Sequence, residues 1–184
     1  MKRRREAQVR RTDVVFRGRI FRVLRDLVEE PALRNEPGGP PVMREIVEHH
    51  GSVVVLPVLP DGRVLLVRQY RYAAGDFLWE LVAGHIDRHE KPAAAARREL
   101  KEETGYAARR VERLLSFFPS PGILTEQMHL FRATGLRAGR AEPEADEAIE
   151  ARAFSRQELG RMLRRGRLRD AKTVLGVLLE LRRK

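Results

Sequence analysis

The sequence predicts a mixed α/β chain, and three observations carry that reading. Ser52 to Leu59 is a near-continuous apolar run, the pattern of a buried strand. Arg63 to Tyr70 returns from it across the turn Pro60-Asp61-Gly62. Pro92 to Thr104 reads as a helix. Proline costs little where the first amides lack partners anyway, four alanines follow it, and Gly105 stops the run.

The other elements follow in chain order. Residues 1–12 are polar and expected to fray. From Asp13 to Glu30 strand residues prevail: Val14-Val15-Phe16, a turn at Arg17-Gly18, then Ile20, Val23 and Leu24. Phe16 reads as a core aromatic or a base-stacking one. Residues 31–41 carry four prolines and two glycines and form a loop, and Val42 to His50 is a further strand. Arg68 and Arg71 fall at or beyond the end of the Arg63–Tyr70 strand. A guanidinium fork suits phosphate oxygens, with a surface ion pair as the other reading. Ala73 to Asp76 is a loop, Trp79 a core residue, and Glu80 a residue that orients Arg71 or the acidic helix. Val111 to Phe118 and Gln127 to Ala133 are strands, joined through the rigid loop Pro119-Ser120-Pro121-Gly122. An acidic loop spans 139–148, and Ile149 to Phe154 is the last strand. Ser155 caps a helix, with Glu158 three residues on completing a capping box. Asp170 opens the final helix, where Ala171, Val174, Leu175 and Leu178 recur with helical period. No internal repeat is present.

Composition sets outer bounds. The 184 residues suit one domain with a small extension; 42% are hydrophobic, enough for a core. No apolar run reaches the roughly 18 residues of a membrane span. The N-terminus has charge but no apolar stretch behind it, so no secretory signal is expected. The absence of cysteine excludes disulfides and thiolate metal sites, which suits the cytoplasm. The formal net charge is +11, and only 5 of the 37 basic residues are lysine. Arginines crowd the N-terminus, residues 161–169 and the C-terminus. A solvated basic surface accounts for this, and nucleic acid is expected to bind at most nonspecifically.

The chemistry lies on the Pro92–Thr104 helix. At about 100° per residue, Glu99 and Glu103 share a face, with Glu102 beside them. Ala93, Ala96 and Leu100 form the adjoining apolar strip. Carboxylates in one turn repel one another and oppose the negative end of the helix dipole. A divalent cation would turn that penalty into a site, since Mg2+ takes hard oxygen ligands. Arg98 can pair with Glu102 at i,i+4. A solvated acidic face is the plainer reading of the five residues alone. The full spacing is Gly84, five residues, Glu90, seven residues, Arg98-Glu99-Leu100, one residue, Glu102-Glu103, one residue, Gly105, then Tyr106. It resembles the Nudix hydrolase signature at every fixed position. Tyr106 stands where the family has an aliphatic residue, and His89 where it has a glycine before Glu90.

The resemblance implies a Nudix-type α/β/α sandwich with a mixed sheet. It places the catalytic domain at 51–184, behind an N-terminal β segment at 1–50 through which relatives form homodimers. Pro121, sixteen residues after Gly105, resembles the marker of the ADP-ribose pyrophosphatase branch. The implied reaction is metal-dependent hydrolysis of ADP-ribose, or of a related nucleoside-diphosphate sugar, to AMP and ribose 5-phosphate. Dinucleotides, GDP-sugars and capped RNA are the alternatives, and a non-catalytic nucleotide-binding module is the remaining one. Mg2+, or Mn2+, would be held by Glu99, Glu103, Glu102, the Ala83 carbonyl and Glu147. Glu90 would stabilise the loop before the helix. Glu147 is the first choice of general base and Glu144 the second, with Glu102 as a further catalytic residue. The usual partner position of Glu147 holds Ala145. Arg71, Arg68, His85, Ser120 and Glu126 would contact substrate.

Overall fold

A computed structural model describes residues 7–32, 39–140 and 149–183. They divide into two compact units. The first holds the described residues up to His50 together with Ser120–Glu126; the second holds Gly51–Pro119 and the described residues after Glu126.

The first unit is an antiparallel sheet of β1 (Gln8–Arg17), β2 (Arg22–Glu29) and β3 (Val42–Glu48), in that spatial order. Opposite charges face one another across it. Arg22 lies opposite Glu48 and Arg25 opposite Glu45, each joined by an ion pair. Such exposed pairs contribute a few tenths of a kcal/mol each and favour one register. The polar start is not frayed up to Thr12. It is strand from Gln8, because β2 supplies backbone partners and Arg10 forks onto Glu29 at 2.9 and 2.7 Å. Ser120–Glu126 returns to β3, where Val47 N donates to Ile123 O at 2.7 Å and Thr125 N donates to Val47 O at 3.0 Å.

The second unit is built on β4 (Ser52–Pro57), in which all six residues are buried. After it come β5 (Val64–Arg71), a 3-10 turn at Tyr72–Ala74, β6 (Asp76–Glu80) and β7 (Val82–His85). Helix α1 (Pro92–Thr104) is followed by β8 (Tyr106–Phe117), β9 (Met128–Ala138) and β10 (Glu150–Phe154). Helices α2 (Arg156–Arg164) and α3 (Ala171–Arg182) complete the chain. One sheet runs β7-β4-β9-β8, with β4 parallel to β9; the other runs β10-β5-β6 and is antiparallel.

Alternation along the strands separates two cores. Val53 and Val55 of β4, with Leu65 and Val67 of β5, pack with Ala95, Ala96 and Leu100 of α1. Val54 and Leu56, with Val64 and Leu66, pack with Leu159 of α2 and Val177 of α3. Both faces of β4 are therefore covered, which is why it reads as a continuous apolar run. This is the expected α/β/α sandwich with a mixed sheet. The buried arc of α1 passes through Ala95–Ala96, Leu100 and Glu103–Thr104 in steps of four, and leaves Ala93 exposed. Strand β8 starts at Tyr106, earlier than Val111, because β9 runs on to Ala138 and pairs with its first residues. Among the described residues no helix is long and apolar enough to cross a membrane.

Helix α3 approaches the β4 layer at a glycine. A Cβ on Gly176 would stand 2.5 Å from Cδ1 of Leu81 and 3.5 Å from Cδ1 of Leu56. Gly176→Val is expected to destabilise the fold by about 2 kcal/mol through overpacking, read as a lowered midpoint in urea unfolding.

Candidate active site

The acidic end of α1 lies against β7. A Cβ at Gly84 would overlap the carboxylate of Glu99, so only glycine lets that side chain lie flat on the strand. One residue earlier, Ala83 N donates to Glu103 Oε1 at 3.4 Å. The Glu103 residue is buried, whereas the Glu102 side chain is 37% exposed. The helix thus lays two carboxylates, Glu99 and Glu103, against the backbone of Gly84 and Ala83, with Glu102 on the exposed side.

Arg98 holds this turn together. Its Nε and Nη2 bond to Glu90 at 3.1 and 3.0 Å, and its Nη1 reaches Glu99 at 2.7 Å and Glu102 at 3.0 Å. Its Nη2 also donates to His85 O at 2.9 Å. The hydrogen bond to Glu90, with those to Glu99 and Glu102, keeps the Arg98 pKa above its ordinary value against the effect of burial. Glu90 in turn is held below the usual carboxylate range, first by its bond to Arg98. Glu90 also accepts from Asp87 N at 3.2 Å, which closes the loop between β7 and α1.

Arg71 approaches from the end of β5. Its Nε and Nη2 both bond to Glu80, each at 2.9 Å. The Glu80 residue is 1% exposed, and Lys172 Nζ takes its second oxygen at 2.7 Å. Burial pushes the Glu80 carboxyl upward, but Arg71 and Lys172 outweigh it and hold the group below its usual range. The Arg71 pKa is raised, first by the Glu80 hydrogen bond and further by the nearby charges of Glu80, Glu103 and Asp170.

Arg68 is placed differently. It sits three positions before Arg71 on β5, so alternation sends it to the other sheet face. There it lies 5.0 Å from the Phe77 ring centroid and 3.9 Å from Glu150. Those residues and Ile149 line an open depression of about 280 Å³. Trp79, on the same face, packs edge-on against Phe154 at 4.9 Å. The His85 side chain is exposed. Ser120 and Glu126 belong to the first unit; Glu126 is buried there, with His49 Nδ1 3.6 Å away. Phe16 is 52% exposed, with Phe21 as its ring neighbour at 5.8 Å. Glu144, Ala145 and Glu147 lie outside the described residues.

Donor chemistry bears on a cation. Glu99, Glu102, Glu103 and the Ala83 carbonyl offer only hard oxygens, the set that suits Mg2+ or Mn2+. The cradle over Gly84 brings one of those carboxylates onto the backbone beside Ala83. Among the described residues no three acidic or histidine side chains are drawn together as a finished cage. Arg98 currently holds Glu99 and Glu102. The donors fit a hard divalent ion in kind, and binding it would draw Glu99 and Glu102 away from Arg98.

Residues 48–175 match the family model described as NUDIX domain. The chain belongs to the Nudix family. It is a Nudix pyrophosphohydrolase. It is 34% identical to the methanol dehydrogenase activator of Bacillus methanolicus over 94% of this chain and 91% of that one. It is 32% identical to the ADP-ribose pyrophosphatase of Bacillus subtilis over 89% and 86%. The GDP-mannose pyrophosphatase of Pectobacterium atrosepticum is 35% identical over 78% and 79%. A crystal structure of an ADP compounds hydrolase superposes with a TM-score of 0.78, at 22% identity, over 97% of this chain and 94% of that one.

The Nudix box departs from its family at His89, and the backbone shows the consequence. His89 has φ 67°, the one non-glycine residue at positive φ among the described residues. An L-residue there costs roughly 1–2 kcal/mol, whereas glycine bears no such strain but loses more chain entropy. His89→Gly is expected to stabilise the protein by about 1 kcal/mol, seen as a higher midpoint in thermal unfolding.

Proposed function

We propose that this protein hydrolyses the diphosphate of ADP-ribose to AMP and ribose 5-phosphate, using Mg2+ or Mn2+. The carrying observation is the seat of Glu99 on Gly84 beside the Glu103–Ala83 contact, with Arg71 held nearby by Glu80. The similarity to ADP-ribose pyrophosphatases supports the substrate class. The GDP-mannose pyrophosphatase relative favours a GDP-sugar as the second reading.

Glu99, Glu102, Glu103 and the Ala83 carbonyl would hold the cation. When bound, it neutralises phosphate charge and makes water more acidic. The protein's own groups do the rest by position, because transfer at phosphorus needs little covalent help. Arg71 offers a diphosphate oxygen the edge of its guanidinium turned away from Glu80, while Glu80 fixes the plane of the fork. Glu90 and Arg98 keep the β7–α1 loop closed, which keeps Glu99 over Gly84. Orientation of the water is assigned to Glu147, with Glu144 as second choice.

Release of phosphate esters from ADP-ribose, other nucleoside-diphosphate sugars, dinucleotides and capped RNA, with Mg2+, Mn2+ or chelator, tests this directly. ADP-ribose is expected to be preferred, with AMP as product and no turnover in chelator. Glu103→Gln is expected to lower kcat by two or more orders of magnitude, on the order of 3 kcal/mol of barrier, with unchanged circular dichroism. Near-normal turnover in that variant removes the cation role.

We also propose a cytoplasmic homodimer formed through the first unit. All ten residues of the edge strand β1 are exposed, among them Val9, Val15 and Phe16. A long edge strand with apolar side chains is an unstable end to a sheet unless something covers it. A second copy supplies a surface of the same chemistry and closes by two-fold symmetry. Light scattering is expected to give the dimer mass at micromolar concentration, and Phe16→Glu to shift it toward monomer.

A further inference from the structure

The N-terminus of α3 reaches the Nudix site without taking part in it. Asp170 caps the helix, its Oδ2 accepting from Thr173 N at 3.0 Å and from Thr173 Oγ1 at 2.5 Å. Thr173 Oγ1 in turn accepts from Leu81 N at 2.8 Å. Lys172 Nζ bridges Asp170 Oδ1 at 2.8 Å and Glu80 Oε2 at 2.7 Å. Asp170, Lys172 and Thr173 therefore grip two consecutive residues, Glu80 and Leu81, immediately ahead of β7. Three of the four charged groups of the cluster are secluded: the side chains of Glu80, Lys172 and Asp170 are 1, 11 and 16% exposed, and that of Arg71 is 41% exposed.

We propose that Lys172, braced by Asp170, is a positioning residue for Arg71 and sets the affinity of the site for a diphosphate. The inference rests on the reading that Arg71 takes a diphosphate oxygen. Two consequences of the geometry carry it. A buried glutamate has three side-chain torsions, and Lys172 pins the oxygen that also receives Arg71 Nη2. This fixes the plane in which Arg71 presents its remaining N–H groups. Charge is the second consequence. Arg71 and Lys172 balance Glu80 and Asp170. Loss of Lys172 leaves the cluster negative, next to the charge of Glu103 that Arg71 already senses. Binding a dianionic diphosphate then becomes less favourable, whereas the reacting atoms are untouched.

The test is a set of steady-state measurements with ADP-ribose and Mg2+ on Lys172→Met, Lys172→Arg, Glu80→Gln and the Lys172→Met/Glu80→Gln double variant. Lys172→Met is expected to raise KM about tenfold with kcat within about twofold, the size and split of lost outer-shell support for binding. Lys172→Arg restores most of the affinity. The double variant loses less than the product of the two single losses, since Lys172 acts in large part through Glu80. Additive losses, an unmoved KM, or an arginine variant as weak as the methionine one each overturn the proposal. A second readout needs no substrate. The Arg71 Nε–H resonance, assigned with Arg71→Lys, is expected to move in Lys172→Met while that of Arg98 stays. An unmoved Arg71 resonance overturns the lock even if ADP-ribose is the substrate. Absence of wild-type turnover of ADP-ribose, with a moved resonance, sinks the substrate reading and leaves the lock standing.

Discussion

Like charges on one helical turn are the constraint around which the second unit is arranged. Glu99, Glu102 and Glu103 sit where their mutual repulsion and the helix dipole both act against them. The fold answers with a single guanidinium. Arg98 spans Glu90, Glu99 and Glu102, and anchors itself on a carbonyl of β7. Five donors in a rigid fork make this possible; an ammonium could not satisfy the same geometry. The box therefore stores a concentrated negative charge without unfolding its helix. It does so only while the β7–α1 loop stays closed around Arg98.

Everything else in that unit supplies rigidity to the same place. Strand β4 is covered on both faces, so β7 and β9, paired to its edges, have little freedom. Each fully buried valine or leucine there is worth about 1.5–3 kcal/mol against exposure. From β7 the chain presents Ala83 to Glu103 and Gly84 to Glu99, and α1 docks beside Val82 through Ala95, Ala96 and Leu100. From the other side α3 fastens Glu80 and Leu81. The backbone of residues 80–84 is thus held from two directions, and the acidic turn meets a fixed surface.

Much of this was legible in the sequence, for physical reasons that differ by residue. The Nudix box is local: a helix, its stop glycine and a fixed spacing specify its carboxylates, and even the Arg98–Glu102 pair follows from i,i+4 geometry. The requirement for glycine at position 84 was visible as a motif, but its cause, the Glu99 carboxylate, needed the packing of α1 on β7. The missing glycine at 89 was visible too, and the positive φ of His89 shows what that position demands. Long-range partners were not legible. Lys172 lies 92 residues from Glu80, and a lysine in the first turn of a helix looks like any solvated charge. The strand β1 was missed as far as Thr12 because its residues are polar, held by backbone pairing with β2 and by the Arg10–Glu29 ion pair, which leave no apolar period. Arg68 and Arg71 both read as strand-end arginines, with phosphate favoured for Arg71 by the family resemblance; alternation along β5 then sends them to opposite faces.

That separation has a consequence for how the protein can change over time. Along β5, successive side chains answer to different neighbours: Arg71 to Glu80 and the acidic turn, Arg68 and Tyr70 to Phe77 and open surface. Substitutions at Arg68 or Tyr70 alter what the outer face displays and leave the inner face as it was. Arg68 and Tyr70 can therefore drift while Val64 and Leu66, earlier on the same face, stay held in the core and Arg71 stays held by Glu80, and the exposed end of that face is free to acquire a role of its own.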